Sequence, residues 1–113
     1  MLKIYHNPRC RKSREGLAYL QETGLDFEEV RYLDEIPSME ELAQLLRYLG
    51  MKPIELVRTN EAVWKEKYKG KNLSDAEIIK AMVENPKLIE RPIVVNKDKA
   101  VVARPAEKIK DIL

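Results

Sequence analysis

Hydrophobic and polar positions recur along this chain in patterns that predict a β-α-β start, a helical middle and a β-β-α end. Residues 2–5 alternate between apolar and polar and predict a first strand, which ends at the turn-forming Asn7. A helix is predicted from about Cys10 to Gly24, since glycine commonly follows the last helical turn. Residues 27–32 predict a second strand.

Two further helices are predicted by capping signals, in which a serine is followed three residues later by a glutamate. These signals begin helices at Ser38 and Ser74, each followed by leucines, isoleucines or methionines at helical spacing. Gly50 ends the first of these helices and Pro86 ends the second. Between them, residues 61–68 predict a short helix.

The last part of the chain predicts a hairpin followed by a helix. Two apolar runs, 93–95 and 100–103, flank the polar residues 96–99, which predict a four-residue loop. Pro105 suits the first position of a final helix that turns Leu113 inward. The predicted fold class is therefore an α/β or α+β domain with one small mixed sheet.

Size and composition limit the classes of protein to consider. The 113 residues suffice for one domain with a hydrophobic core, and a content of 44% hydrophobic and 35% charged residues is that of an ordinary globular protein. The net charge of +2 is too small to predict nucleic-acid binding. No apolar run approaches the roughly 20 residues that cross a membrane, and the N-terminus has no secretory pattern. A cytoplasmic location is expected.

The chain contains one cysteine and one histidine. A structural zinc site takes four ligands of mainly those two types, so no metal site is predicted. A lone cysteine also agrees with a reducing compartment. If that cysteine becomes oxidised, no second thiol in this chain can resolve it. Turnover at this residue would need thiols from outside the chain.

Cys10 lies in the densest cluster of positive charge in the sequence. Four of the five other residues from position 9 to 14 are cationic. Cations favour a thiolate over a thiol, so we expect a pKa for Cys10 below the usual value of about 8.5. A position at a helix N-terminus would stabilise both the thiolate and a bound oxyanion. The alternative, a buried structural cysteine, is the commoner role of a lone cysteine, but a polar turn between cations argues against it.

Two polar neighbours of Cys10 have alternative interpretations. Ser13 completes a Cys-x-x-Ser spacing that resembles the redox motif Cys-x-x-Cys, although it could equally cap the helix. His6 could hydrogen-bond near the thiol or tune its pKa, or it could be purely structural. A serine hydrolase has little support, because only one histidine is available and no nucleophile elbow is present.

Three further arginines stand out because they lie at the predicted ends of elements, where site residues are usually displayed. These are Arg58, Arg91 and Arg104. A guanidinium stays charged and binds tetrahedral oxyanions through two parallel hydrogen bonds, which lysine does not do. Each of them taken singly could be a solvated surface charge, and the residues alone do not show that the three converge.

Four separated segments resemble the glutaredoxin-coupled arsenate reductases, in the right order and over essentially the whole chain. The segments are Tyr5-His6-Asn7-Pro8-Arg9-Cys10-Arg11-Lys12-Ser13-Arg14, Leu56-Val57-Arg58, Ile89-Glu90-Arg91-Pro92-Ile93-Val94-Val95 and Ala103-Arg104-Pro105-Ala106-Glu107. The resemblance implies a thioredoxin-like fold as a single arsenate-reductase-like domain over 1–113. Its core would comprise about 1–34 and 89–113, with a helical insertion over about 35–88.

The resemblance also implies roles for individual residues. Cys10 would be the nucleophile towards arsenate, and the three arginines would hold the oxyanion and the arsenylated intermediate. The Arg91-Pro92 peptide would be cis, beside the thiol, as cis bonds occur almost only before proline. The supporting residues would be His6, Asn7, Arg11, Lys12, Ser13, Arg14 and Pro92.

A reaction sequence then follows from the resemblance and from the cysteine count together. The Cys10 thiolate attacks arsenic(V), glutathione adds as the second thiol and the centre is reduced to arsenic(III). Glutaredoxin then clears the mixed disulfide, and arsenite is released. No bound cofactor is expected, glutathione is a co-substrate, and neither nucleic acid nor a membrane is an expected partner.

One departure keeps other functions open. Arg11-Lys12 occupies positions that are small and neutral in well-studied arsenate reductases, which could tighten anion binding or indicate another substrate. A glutathione-dependent thiol reductase would keep Cys10 but need not use all three arginines. A regulator of the Spx type, which binds RNA polymerase, typically carries Cys-x-x-Cys and lacks an arginine at the position of Arg104. A nucleic-acid module would need aromatic residues within the basic cluster.

Overall fold

The computed structural model describes residues 2–113. Its strands and α-helices, in chain order, are β1 (Leu2–Tyr5), α1 (Arg11–Thr23), β2 (Phe27–Val30), α2 (Met39–Leu49), α3 (Ala62–Lys67), α4 (Asp75–Glu84), β3 (Ile93–Asn96) and β4 (Lys99–Val102). Three 3₁₀ helices span Pro53–Leu56, Pro86–Leu88 and Ala106–Ile112. None of the helices within these residues is long and apolar enough to cross a membrane.

The chain forms two compact units. The sheet unit comprises the chain up to Glu35 together with Arg91–Leu113, and the helical unit is Ile36–Glu90. These bounds lie close to those predicted for the helical insertion, about 35–88.

The sheet unit is built on a four-stranded mixed sheet with the strand order β2-β1-β3-β4. The first strand runs parallel to β2, where Leu2 lies opposite Phe27, and antiparallel to β3, where Leu2 lies opposite Asn96. The α1 helix connects the two parallel strands, as a parallel pair requires a crossover. The predicted small mixed sheet is confirmed, although β2 ends at Val30 and not at residue 32.

The hairpin between β3 and β4 is confirmed, but its loop is shorter than predicted. Asn96 and Lys99 pair across the ladder, so that only Lys97 and Asp98 form the turn. Lys97 has a φ of 59°, and the favoured two-residue hairpin turns have a positive φ at this first central residue. Because residues 96–99 are all polar, the sequence predicted a loop that is one residue too long at each end.

The chain ends in a 3₁₀ helix, which packs with α1 against the sheet. Such a helix has three residues per turn, so Ile109 and Ile112 lie on the same face and both are buried. Leu113 falls outside that face and is 50% exposed, so its predicted inward position is wrong. Pro105 is the N-cap of this helix and not its first residue.

The hydrophobic core of the sheet unit joins α1, the sheet and the last helix. Its buried members are Leu2, Ile4, Leu20, Val94, Ala103, Ile109 and Ile112. Burial of apolar area on this scale is the main favourable term in folding. The core holds the N-terminal end of α1 at the carboxyl end of β1, where Cys10 lies.

The helical unit follows the predicted capping signals. Ser38 accepts a hydrogen bond from the Glu41 N–H (3.1 Å), and Ser74 and Glu77 form a complete capping box. Gly50 ends α2 in the left-handed conformation, with φ 66°. The apolar faces of α2 and α4 then pack against each other and bury Leu42, Leu45, Leu46, Ile78, Ala81 and Met82.

At Gly16, α1 lies against Pro92 and Ala103 of the sheet unit. A Cβ atom at this position would lie 2.7 Å from Cγ of Pro92 and 3.8 Å from Cβ of Ala103. The first distance is well inside van der Waals contact, and the proline ring has little freedom to yield. The absence of a side chain at Gly16 therefore lets α1 lie directly against Pro92.

We expect Gly16→Ala to destabilise the protein, although alanine is the better helix former. The helix propensity favours alanine by about 1 kcal/mol, whereas overpacking against Pro92 costs about 1–3 kcal/mol, so a net loss of about 1 kcal/mol is expected. Urea unfolding measures the change, with Ala18→Gly on the exposed face of α1 as the control for propensity alone. A Gly16→Ala protein more stable than the parent would contradict this packing.

Candidate active site

Cys10 lies at the junction of the loop that follows β1 with the start of α1. It is the N-cap residue of the helix, with extended backbone angles (φ −95°, ψ 124°). Its N–H donates to the Asn7 carbonyl (3.0 Å), and its own carbonyl accepts from the Arg14 N–H (3.0 Å). The backbone on both sides of the thiol is therefore fixed, and the side chain is partly exposed.

Two opposing effects act on the Cys10 thiol. Partial burial raises its pKa, because burial disfavours the charged form. The backbone N–H groups of Ser13 and Lys12 and the hydrogen-bonding, positively charged side chain of Arg91 lower it. The second group of effects is the larger, so the pKa of Cys10 lies below its usual range and the prediction is confirmed in direction.

The source of this lowering differs from the one predicted. The side chains of Arg11 and Lys12 point to the surface and pair with Glu15, at 3.5 and 3.7 Å. The Arg11 side chain is 86% exposed, so this pairing contributes little. The thiolate is favoured mainly by the first amides of α1 and by Arg91, which is distant in sequence.

The loop before Cys10 is fastened by a buried hydrogen-bond cluster around Ser13. The Ser13 Oγ atom accepts from the Asn7 N–H (2.9 Å) and lies 2.7 Å from Nδ1 of His6. His6 in turn donates its backbone N–H to the Val30 carbonyl of β2 (2.8 Å). The Ser13 side chain thus ties α1 to the end of β1 and does not cap the helix, and its complete burial excludes a role as an exposed nucleophile.

His6 is a neutral member of this cluster. Burial lowers its pKa, Arg31 and Arg14 lower it further, and Glu29 and the bond to Ser13 oppose the shift. The net effect places the pKa of His6 below its usual value of about 6.5. A neutral Nδ1 can accept a hydrogen bond from the Ser13 hydroxyl group. The Ser13 oxygen then remains free to accept a second hydrogen bond, from the Asn7 N–H.

The other side of the site is formed by Arg91, Pro92 and Arg104. The Arg91-Pro92 peptide is cis, as predicted, and the Arg104-Pro105 peptide is cis as well. The Arg104 guanidinium donates to the Arg91 carbonyl (3.4 Å), so these two arginines are neighbours. The Nε atom of Arg91 is buried and has no hydrogen-bond partner among the described residues. A buried N–H without a partner is costly, and an oxyanion would satisfy it.

Arg58 belongs to the helical unit. It follows Val57, which forms an isolated antiparallel bridge with Ile89, and the Arg58 N–H donates to the Leu88 carbonyl (2.7 Å). Its Nε atom lies 3.6 Å from a carboxylate oxygen of Glu90, and its side chain is 19% exposed. Within this unit Arg58 is therefore a fixed, charge-paired arginine at the end of a bridge.

The remaining predicted site residues take secondary positions. Asn7 turns the loop, and its side-chain oxygen accepts from the Arg9 N–H (3.0 Å). The Arg14 guanidinium donates to the Pro8 carbonyl (2.9 Å) and braces the same loop from α1. Among the described residues no cluster of histidine, cysteine, aspartate and glutamate could hold a metal ion.

The model of the ArsC family matches residues 5–112. The chain belongs to the ArsC family. The matched range covers residues of both units and includes Cys10 and the arginines of all four segments quoted above.

Several relatives match along nearly their full length. The chain is 47% identical to the uncharacterised protein YfgD of Escherichia coli K12 over 99% of this chain and 96% of that protein. It is 40% identical to an arsenate reductase of Neisseria meningitidis serogroup A, over 99% and 97% of the two chains. The solved arsenate reductase structure from Vibrio cholerae superposes with a TM-score of 0.94 at 45% identity, over 99% and 97%. The thioredoxin-like α/β fold is thereby confirmed.

Sequence reasoning missed two residues that lie beside predicted site residues, one in each unit. Gly16 leaves room for Pro92 beside α1. The sequence signal for this close contact was a glycine inside an otherwise regular helical pattern. Glu90 pairs with Arg58, and no local pattern indicated that pair because the two residues are far apart in sequence.

The pKa of Cys10 can be tested by alkylation. We expect the rate of reaction with iodoacetamide to reach half its maximum at a pH below that of a free cysteine, since only the thiolate reacts. In Arg91→Ala the midpoint should move to higher pH and the rate at neutral pH should fall several-fold. The surface variant Arg47→Ala should behave like the parent. Identical profiles for Arg91→Ala and the parent would show that Arg91 does not act on the thiol.

The buried His6 should make the protein less stable in acid. Because its pKa is lowered in the folded state, the unfolded chain binds the proton more readily, and the free energy of unfolding falls as the pH drops below about 6.5. In His6→Asn the amide oxygen can still accept from Ser13 but does not titrate, so this loss disappears. Urea unfolding from roughly pH 8 to pH 5 compares the two proteins. Parallel pH dependences would refute the assignment.

Proposed function

We propose that this ArsC-family protein reduces arsenate to arsenite through a covalent adduct on Cys10, with glutathione and glutaredoxin as the thiol partners. The observation that carries the proposal is the position of Cys10 at the N-terminus of α1 with the Arg91 guanidinium beside its sulfur. The same positive groups that favour a thiolate also favour a bound oxyanion. The relatives named as arsenate reductases support arsenate as that oxyanion.

The first chemical step is attack of the Cys10 thiolate on arsenic(V). A sulfur–arsenic bond forms, one arsenic–oxygen bond breaks, and the oxygen leaves as water after it has taken up a proton. Negative charge on the remaining oxygens is balanced by Arg91 and Arg104, the neighbouring arginines of the sheet unit. We assign Arg58 as a third ligand of the oxyanion on the resemblance alone.

The second step uses an external thiol. A glutathione thiolate attacks the Cys10 sulfur, a disulfide bond forms, and the sulfur–arsenic bond breaks with its electron pair passing to arsenic. Two sulfurs are oxidised by one electron each, and arsenic is reduced from the +5 to the +3 state and leaves as arsenite. A glutaredoxin thiolate then attacks the glutathione sulfur and restores the Cys10 thiolate. The single cysteine of the chain makes these external thiols necessary.

His6 and Ser13 act in this mechanism as positioning residues. Their buried hydrogen bonds hold the loop between β1 and α1, so the thiol stays at the first amides of the helix. Ser13 has no sulfur and cannot form a disulfide with Cys10. A dithiol switch of the kind that Spx-type regulators use therefore has no second sulfur in this chain.

The proposal predicts arsenate-dependent oxidation of NADPH in the presence of glutathione, glutaredoxin and glutathione reductase. Cys10→Ser should reduce the rate to background, because the hydroxyl is not ionised at neutral pH. Arg91→Ala and Arg104→Ala should lower the activity about 10- to 150-fold, which corresponds to the loss of a charge-assisted hydrogen bond of about 1.5–3 kcal/mol.

Arg47→Ala, in α2 and away from the segments quoted above, serves as the matched arginine control and should retain the parent activity. Arsenate-dependent turnover by a folded Cys10→Ser protein would overturn the mechanism. No turnover by a parent protein whose Cys10 still reacts rapidly with alkylating agents would instead favour a glutathione-dependent thiol reductase with another substrate.

A further inference from the structure

A cavity of about 360 Å³ lies beside the loop that carries Cys10, within the sheet unit. Residues 6–9 form one wall of it, and Arg31, Leu33 and Asp34, which follow β2, form the other. This cavity is called the loop pocket below. The backbone of Cys10 adjoins it, because the Cys10 N–H donates to the carbonyl of Asn7 in the first wall (3.0 Å).

The loop pocket is larger than the reacting oxyanion needs. Its volume falls near the lower end of the roughly 300–1,000 Å³ that is usual for sites of small organic ligands. A tetrahedral oxyanion is far smaller and is already served by the amides of α1 and by Arg91. The pocket therefore suits a second, organic ligand that meets the oxyanion at Cys10.

The charges of the loop pocket have both signs. Arg9 and Arg31 supply two guanidinium groups, Asp34 supplies one carboxylate, and Leu33 adds an apolar, partly buried surface. Arg31 pairs with Glu29 (2.9 Å), whereas within residues 2–113 neither the Arg9 guanidinium nor the Asp34 carboxylate forms a salt bridge. A complementary ligand would carry two carboxylates and one ammonium group.

Glutathione has that charge pattern together with a thiol. We propose that the loop pocket binds glutathione, with its carboxylates at Arg9 and Arg31, its ammonium group at Asp34 and its cysteinyl portion at the end next to Cys10. This inference rests on the proposed function, in which glutathione is the second thiol. It adds the place where the co-substrate is held and the residues that select it.

The selectivity of Cys10 for glutathione can be measured without arsenate. When Cys10 attacks oxidised glutathione, a disulfide to one glutathione forms, the original disulfide breaks, and the second glutathione leaves as a thiolate that takes up a proton. Mass spectrometry follows the mixed disulfide. The ratio of this rate to the rate with uncharged hydroxyethyl disulfide reports recognition of glutathione, because changes in the reactivity of Cys10 itself affect both rates.

Asp34→Asn and Arg31→Gln should each lower this ratio about two- to fivefold, the effect of losing one solvent-exposed ion pair. Asp98→Asn and Lys99→Gln, in and beside the β3–β4 turn, are matched controls that remove the same charges elsewhere in the sheet unit. They should leave the ratio unchanged. Circular dichroism verifies that all four variants are folded.

A ratio that stays at the parent value in both pocket variants would overturn the assignment, as would equal decreases in the hairpin controls. The test also separates this inference from the proposed function. A selective decrease in a protein that does not reduce arsenate would support the loop pocket and refute the substrate. Arsenate reduction without a selective decrease would refute the loop pocket alone.

Discussion

The site depends on one electrostatic arrangement, in which the sulfur of Cys10 meets the first amides of α1 and the guanidinium of Arg91. Partial burial alone would keep the thiol protonated, so the positive groups must outweigh it. They come from two parts of the sheet unit that only the fold brings together. The cis Arg91-Pro92 segment lies against α1 because Gly16 has no side chain to hold it away.

A second feature, the buried cluster around Ser13, keeps the thiol in this position. Its hydrogen bonds join the end of β1 to α1 and occupy the Nδ1 atom of a neutral His6. Loss of one partner would leave a buried polar group unpaired, which costs about 1–3 kcal/mol. The loop is thus held by hydrogen bonds to Ser13 of α1, whereas its residue Arg9 lines the loop pocket.

Much of the fold follows from sequence patterns, but the site follows from them only in part. The caps at Ser38 and Ser74 and the stop at Gly50 are local signals, and each was predicted correctly. The two-residue hairpin turn and the exposed Leu113 were mispredicted, because cross-strand register and 3₁₀ geometry decide them.

The nucleophile itself was identified from its charged neighbours, although Arg11 and Lys12 turned out to face Glu15 at the surface. Arg91 was singled out for oxyanion binding, yet its action on the thiol pKa depends on a contact across some 80 residues of sequence. Spacing within a motif carries no information about such a contact. The resemblance to the arsenate reductases, and now membership of the ArsC family, links the two segments.

The most direct test of the account is X-ray absorption at the arsenic edge, recorded after the protein is mixed with arsenate in the absence of any other thiol. The account predicts one arsenic–sulfur bond per chain in the parent, since the chain has a single cysteine, and none in Cys10→Ser. A parent spectrum with oxygen neighbours only would contradict it, because arsenate would then bind without forming the adduct on which reduction depends.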